Sequence, residues 1–357
     1  MSQVDLHEHL PQTTQLLYSE LLELSIHAAA EEAARPLPAG SFVQKKIKNG
    51  TYWYLQTSVG GTRHQRYLGP DSDDLRRWMD NVTETRRLRR PDAKQRERLA
   101  AMLAQGQATT LGPSLFRVAE VLEDAGVFRL GGVLVGTHAF GSYGNMLGVR
   151  WRRASLRTQG SDIEQDPAIG IGLQSDVGAS DVPAALDEAA IGFAGIPTLS
   201  PRHPSTSFKI RGKKLRVDFL TPLVGAPKTG PVYLPSLKVS AQPLRLLDYL
   251  IEGPVQALLL GRKSSLLVNL PDPARFAIHK LWTSGRRGAA FHNKSIKDLD
   301  QASALLRFLR EERPADIESA WAALEDRPKV RRDVLQGMER ASRDLFSTDL
   351  VELFRSA

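Results

Sequence analysis

The 357-residue chain reads as an α+β protein with a mixed sheet of about five strands, and three features carry that reading. A short apolar run near residues 133–135 stands between two glycine turns, with helical spacing on either side. Two longer stretches, "STSFKIRGKKLRVDFLTPL" and "EGPVQALLLGRKSSLLVNLPDP", alternate about a central turn, as antiparallel hairpins do. From "PARFAIHKLWTSG" onward the spacing is helical, so helices make up most of the C-terminal half.

Taken in order, residues 11–34 carry Leu16, Leu17, Leu21, Leu22 and Leu24 at near-helical spacing with no internal Pro or Gly, which predicts a helix. "RPLPAGS" ends it. The next stretch, "FVQKKIKNGTYWYLQTSVGGTRHQRYLGPD", alternates and is punctuated by "NG" and "GG", the signature of a meander of about three antiparallel strands. Residues 72–107 predict one or two strongly charged helices, interrupted at Pro91. From residue 113 the pattern is helix, glycine turn, apolar strand, "VGTHA" turn and helix. "TQGSDIEQDPAIGIGLQ" carries one or two strands, and "SDVPAALDEAAIGF" a helix with a Ser or Asp start signal. A hairpin turning at Gly212 follows, then a Pro/Gly-rich link at 225–235 and the second hairpin; everything from Lys294 on is helical. The chain accordingly divides into an N-terminal helix-and-meander extension (1–110), a core (111–235) and a C-terminal hairpin and helical domain (236–357).

Composition excludes several classes. With no cysteine there is no disulfide, thiolate nucleophile or cysteine-ligated zinc. No apolar run approaches membrane-spanning length, and the first residues lack the basic and apolar regions of a signal peptide, so a cytoplasmic protein without membrane contact is expected. A formal net charge of +8 favours polyanionic partners without naming one.

One residue interrupts the apolar alternation of the first hairpin. In "LRVDFL", period 2 sets Leu215, Val217 and Phe219 on one face and Arg216, Asp218 and Leu220 on the other. A carboxylate there is costly to bury unless a cation or donor meets it. The plain reading is an ion pair with Arg216 or Lys214.

The wider order gives Asp218 another reading. A strand runs into Gly136 and Thr137 at the start of a helix; a segment with two acids two residues apart, Asp162 and Glu164, follows; a helix and the strand with the lone Asp218 come next. This order resembles the polymerase-β-like nucleotidyltransferases. "LVGTHAFGSYGNMLG", "RTQGSDI", "STSFKIRGKKLRVDFLTPL", "AQPLRLLDYLIEGP" and "PDPARFAIHKLWTS…NKSIKDLDQASALL" together look like a bacterial nucleotidyltransferase-fold family over about residues 113–310, more distantly similar to the nucleotidyltransferases of toxin–antitoxin systems. The N-terminal meander is also similar to what precedes the core in that family.

The resemblance implies transfer of a nucleotidyl group from an NTP to an acceptor that is RNA, protein or a small molecule. It implies Mg²⁺ or Mn²⁺ held by Asp162, Glu164 and Asp218, which would also be the catalytic carboxylates. Gly136 and Thr137 would cradle the triphosphate, with Lys280 and Lys297 as phosphate contacts. The general physics agrees: alternate residues of a strand share a face, converging carboxylates hold divalent ions, and small residues at a helix start let backbone N–H groups reach phosphate.

The chain departs from the family pattern at one point. The usual motif is Thr-x-Asp-x-Asp; aligned without a gap from Thr158, its acids fall on Gly160 and Asp162, and only a two-residue shift recovers Asp162 and Glu164. In the gapless register the site lacks one ligand, and the chain is then a nucleic-acid- or protein-binding module on a degraded fold. Other residues have plainer readings. Lys280, Lys294 and Lys297 stand equally for a solvated helix face, Asp298 and Asp300 for capping or pairing, and His138 and His279 for packing. "GSYG" (141–144) lies too far past the apolar strand to open its turn. The meander's Lys45, Lys46, Lys48, Arg63 and Arg66 with Tyr52, Trp53, Tyr54 and Tyr67 would suit a nucleic-acid platform, but the favoured reading is a small sheet packing its aromatics on the flanking helices. "RRLRRPDAKQRER" reads as a solvated helix surface.

Overall fold

The computed structural model describes residues 6–34, 37, 40–48, 50–59, 62–152, 168–174, 181–188, 192–196, 205–210, 215–223, 225, 230–286, 292–341, 346 and 348–356. A short strand, β1 (His7–His9), precedes α1 (Gln12–Ala34), whose buried stripe includes Tyr18 and Leu21. The meander then forms as β2 (Ser41–Ile47), β3 (Gly50–Val59) and β4 (Thr62–Pro70), a separate three-stranded antiparallel sheet.

α2 (Asp73–Gln105) begins at Ser72, whose hydroxyl accepts from the Leu75 amide, and is one helix of 33 residues. This corrects the break expected at Pro91. Proline removes one backbone hydrogen bond and crowds the preceding turn, but α1 braces α2 on both sides of it. Arg89 Nη1 donates to Glu32 at 2.8 Å and Gln95 Nε2 to Glu20 at 2.9 Å. Tyr18 and Leu21 of α1 share one apolar cluster with Leu99 and Leu103 of α2. Burying a side chain such as Leu103 is worth roughly 1.5–3 kcal/mol, so the several apolar side chains of this cluster together offset the roughly 3 kcal/mol that an interior proline costs.

The core follows as α3 (Pro113–Asp124), β5 (Val133–Val135), α4 (Thr137–Met146), β6 (Val149–Trp151), β7 (Ala168–Gly172), α5 (Val182–Glu188), β8 (Phe193–Gly195), β9 (Ser207–Ile210) and β10 (Arg216–Pro222). Next come β11 (Val232–Leu234), β12 (Val239–Leu244), α6 (Leu247–Ile251), β13 (Val255–Leu260) and β14 (Ser265–Leu270). The C-terminal helices are α7 (Pro273–Ser284), α8 (His292–Glu312), α9 (Pro314–Ala322), α10 (Pro328–Arg340) and α11 (Thr348–Ser356).

The main sheet is mixed, in the order β11-β12-β10-β7-β5-β14-β13, with β9 also pairing β10 and β8 pairing β9. Nine strands join it among the described residues, against about five expected. Part of the difference lies in the segment read as a link, where β11 forms and pairs antiparallel with β12. Both expected hairpins are present, β9–β10 and β13–β14. The sheet thus draws strands from both sides of residue 235, and one apolar core joins it to the C-terminal helices. Among the described residues, no helix is long and apolar enough to cross a membrane.

Candidate functional site

β10 realises the predicted alternation: Val217, Phe219 and Thr221 are buried, while Arg216, Asp218 and Leu220 share the less buried face. Its neighbours fix what Asp218 meets. On one side β7 runs parallel and sets Gly170 opposite Asp218; beyond it β5 runs antiparallel and sets Val135 opposite Gly170. Val135, Gly170 and Asp218 therefore form one row across three strands, and the next residue after Val135 is Gly136. A Cβ at Gly170 would come within 3.1 Å of the Val135 side chain and 3.8 Å of Leu220, which confirms that these residues share a face. One row further along, a Cβ at Gly172 would come 2.8 Å from Ile251 of α6. α6 covers that end of the face.

Gly136 has φ +81° and ψ −151°, a region populated essentially by glycine. A Cβ at this position would meet nothing within 4 Å, so conformation rather than crowding selects glycine. The helix starts at the next residue, Thr137, which is buried together with His138. "GSYG" lies inside α4, past the turn, as its distance from the strand implied.

Asp218 is already engaged. Oδ1 accepts a hydrogen bond from the Ser207 hydroxyl at 2.6 Å, across the β9–β10 pair, and Oδ2 contacts Arg216 Nε at 2.9 Å. The plain expectation of an Arg216 ion pair is met. Ser207 carries no signal of its own in the sequence, though counting outward from Gly212 and Lys213 pairs it with Asp218.

Asp162, Glu164, Gly160 and Thr158 lie outside the described residues. Among the described residues, no group of three or more His, Asp or Glu side chains stands together. A lone carboxylate with both oxygens engaged does not by itself fit a divalent ion.

Lys280 of α7 lies against α8. Its Nζ meets Asp298 Oδ1 at 2.6 Å, with only 13% and 4% of the two side chains exposed, and it also lies over the Phe276 ring. The pairing expected of Asp298 is present, and the solvated setting open to Lys280 is not. Lys297, one residue before Asp298, is partly exposed. His279 accepts from Thr283 through its carbonyl at 2.8 Å and packs on Trp282.

A cavity of about 420 Å³ lies elsewhere, between α1, α2 and the β13–β14 hairpin, lined by charged residues including Glu32, Arg89, Glu123 and Arg129. Burial raises the Glu123 carboxyl above its ordinary range, against the opposing pull of Arg129.

Two family models match the chain. One, described as a nucleotidyltransferase, matches residues 114–325, from the start of α3 to just past α9. The other, described as a domain of unknown function, matches residues 10–77 and so takes in α1 and the meander. No curated protein and no solved structure matches the chain.

Proposed function

The chain belongs to the nucleotidyltransferase family, and from that premise we propose that it moves a nucleotidyl group from an NTP to an acceptor on a polymerase-β-like core. The observation that carries the reading is the row Val135–Gly170–Asp218, which sets the start of α4 and a partly exposed carboxylate at the same end of one sheet face.

In the proposed reaction an acceptor oxygen attacks the α-phosphorus of the NTP. The bond from that phosphorus to the oxygen bridging to the β-phosphate breaks, and pyrophosphate leaves. The acceptor's proton passes to a carboxylate, the role assigned to Asp218 once Arg216 yields its contact. Gly136 and Thr137 would bring backbone N–H groups at the helix start to the phosphates. Lys297 would add a cation, and Lys280 would have to exchange Asp298 for phosphate.

The divalent ion of this reading, Mg²⁺ or Mn²⁺, would be held by Asp218 together with Asp162 and Glu164, and would neutralise charge on the phosphates. An acceptor on RNA or protein, a likeness to bacterial toxin–antitoxin nucleotidyltransferases and a cytoplasmic setting belong to the same proposal.

Incubating the protein with each NTP, labelled either on the α- or on the γ-phosphate, and a mixture of RNA and protein tests the reaction. Label from the α-phosphate should enter a macromolecule or small acceptor while γ-label leaves as pyrophosphate. Transfer of γ-label would point to phosphoryl transfer instead. The second reading, a binding module on a degraded site, is favoured by the full engagement of Asp218 and by Gly160. It predicts no incorporation of either label.

A further inference from the structure

We propose that the outward face of the β2–β4 sheet is a binding surface for single-stranded nucleic acid, whether or not the core transfers nucleotides. The sheet has two unlike faces. On the inner one, Phe42 packs edge-on to Trp78 of α2 with ring centres 5.5 Å apart, and Arg86 of α2 lies over the same ring. Leu55 is buried there, and Trp53 Nε1 donates to Asp71 at the start of α2. The aromatics that dock the sheet on its helix are thus Phe42 and Trp53.

The three tyrosines are on the other face. Pairing sets Lys45 opposite Tyr52 and Val43 opposite Tyr54, and strand alternation puts all four on the side away from Phe42, Trp53 and Leu55. Tyr67 joins them through a bulge. The ladder pairs Trp53 with Gly69 and then Tyr54 with Tyr67, skipping Leu68. Had the ladder run on from the Trp53–Gly69 pair without skipping Leu68, Tyr67 would sit opposite Leu55 and point inward, because a one-residue slip reverses the face of every side chain.

The bulge therefore gathers Tyr67 with Tyr54 and Tyr52, at ring-centre distances of 5.5 Å and 6.1 Å. Tyr67 is 52% exposed. Tyr52 lies close over Gly50, where a Cβ would meet its ring at 2.6–2.8 Å, so the glycine lets that ring settle on the strand. Among the described residues, no hydrogen bond, ion pair or ring contact ties this tyrosine face to another element.

Charge selects the partner. The register puts Lys45 and Arg63, opposite Tyr52 and Ser58, on this face and Lys46 and Arg66 on the inner one, and residues 41–70 hold no Asp or Glu at all. Lys45 sits 4.8 Å from the Tyr54 ring centre, and Arg63 is exposed on β4. Aromatic rings beside cations, with no carboxylate to repel phosphate, suit a strand whose bases are free to stack. A duplex keeps its bases stacked on each other and would offer this face only phosphates.

The test is fluorescence anisotropy of the full chain with labelled RNA and DNA single strands of about 12 nucleotides, with a duplex of equal length and a polyglutamate peptide as comparators. Both single strands should bind, the duplex and the peptide clearly less. Tyr54→Ala with Tyr67→Ala should weaken single-strand binding on the order of tenfold or more, since each stacked base contributes strongly. Tyr67→Phe should bind like the parent, since stacking needs the ring and not the hydroxyl. Lys45→Gln with Arg63→Gln should weaken binding and flatten its salt dependence. If the double alanine variant does not fold, this exposed charge pair carries the test. Unchanged affinity in the tyrosine or charge variants, equal binding of duplex or peptide, or no binding by the parent chain would overturn the proposal.

Discussion

Ser207 and Asp218 face each other across the β9–β10 pair, and the serine hydroxyl donates to the carboxylate at 2.6 Å. With Arg216 on the other oxygen, the carboxylate is held in one orientation on the face it shares with Gly170. Ser207→Ala removes one of these two constraints. Because Asp218 is partly exposed and keeps Arg216, the expected loss is modest, about 1 kcal/mol in urea unfolding. The proposed transfer rate should fall further than stability does, since an oriented base matters more to reaction than to folding. A Ser207→Ala protein with full activity would show that Asp218 needs no such positioning.

Gly136→Ala tests the turn. The substitution meets no neighbouring atom, so its whole cost is the backbone conformation at φ +81°, on the order of 1–3 kcal/mol. Chemical denaturation should show that loss, and NTP binding should weaken because the start of α4 shifts. Parent-like stability would mean the turn adopts another conformation in solution.

Lys280 now carries a different expectation from the solvated lysine that its sequence context allowed. Lys280→Ala removes the ammonium from Asp298 Oδ1 in a pair whose carboxylate is only 4% exposed, and breaking a buried pair on one side costs roughly 3–5 kcal/mol. Adding Asp298→Asn should recover part of the loss, and thermal melts of the four proteins in the cycle measure it. Additive losses would mean that the two side chains are not coupled.

Asp71 provides a pH test at the junction of meander and α2. Its hydrogen bonds to Arg76, and next to Trp53, hold the carboxyl down at about 2 from an ordinary 3.8. A group whose folded pKa is depressed stabilises above its unfolded pKa, and the stabilisation is lost as pH falls through the folded value. The meander's docking should therefore weaken between about pH 4 and pH 2. Asp71→Asn should remove that acid limb, as followed by tryptophan fluorescence; an unchanged limb in the variant would assign it to other carboxylates.

Much of this architecture is legible in the sequence because short-range periodicity decides it. The alternation of "LRVDFL" gives β10 and its buried face, and the two glycine turns around Val133–Val135 isolate β5 and start α4. What period alone cannot supply is the partner of each element. β11 and β12 pair only with strands whose places the local pattern does not reveal, so a proline- and glycine-rich segment hides a strand. Pro91 reads as a helix break until α1 is known to brace α2. The bulge at Trp53 and Tyr54, which decides where Tyr67 points, leaves no mark in the composition. At the candidate site the lone Asp218 stands out as an acid among apolar residues. Its donor Ser207 is ordinary in sequence and gains meaning only from the hairpin register.

The most direct measurement of the central claim compares the parent chain with Asp218→Asn for incorporation of α-labelled NTP into acceptor. The amide keeps nearly the same shape and still accepts from Ser207, so the variant should fold and melt close to the parent while losing the proton acceptor. The account predicts incorporation by the parent and little or none by Asp218→Asn. Equal incorporation by the two proteins would contradict it.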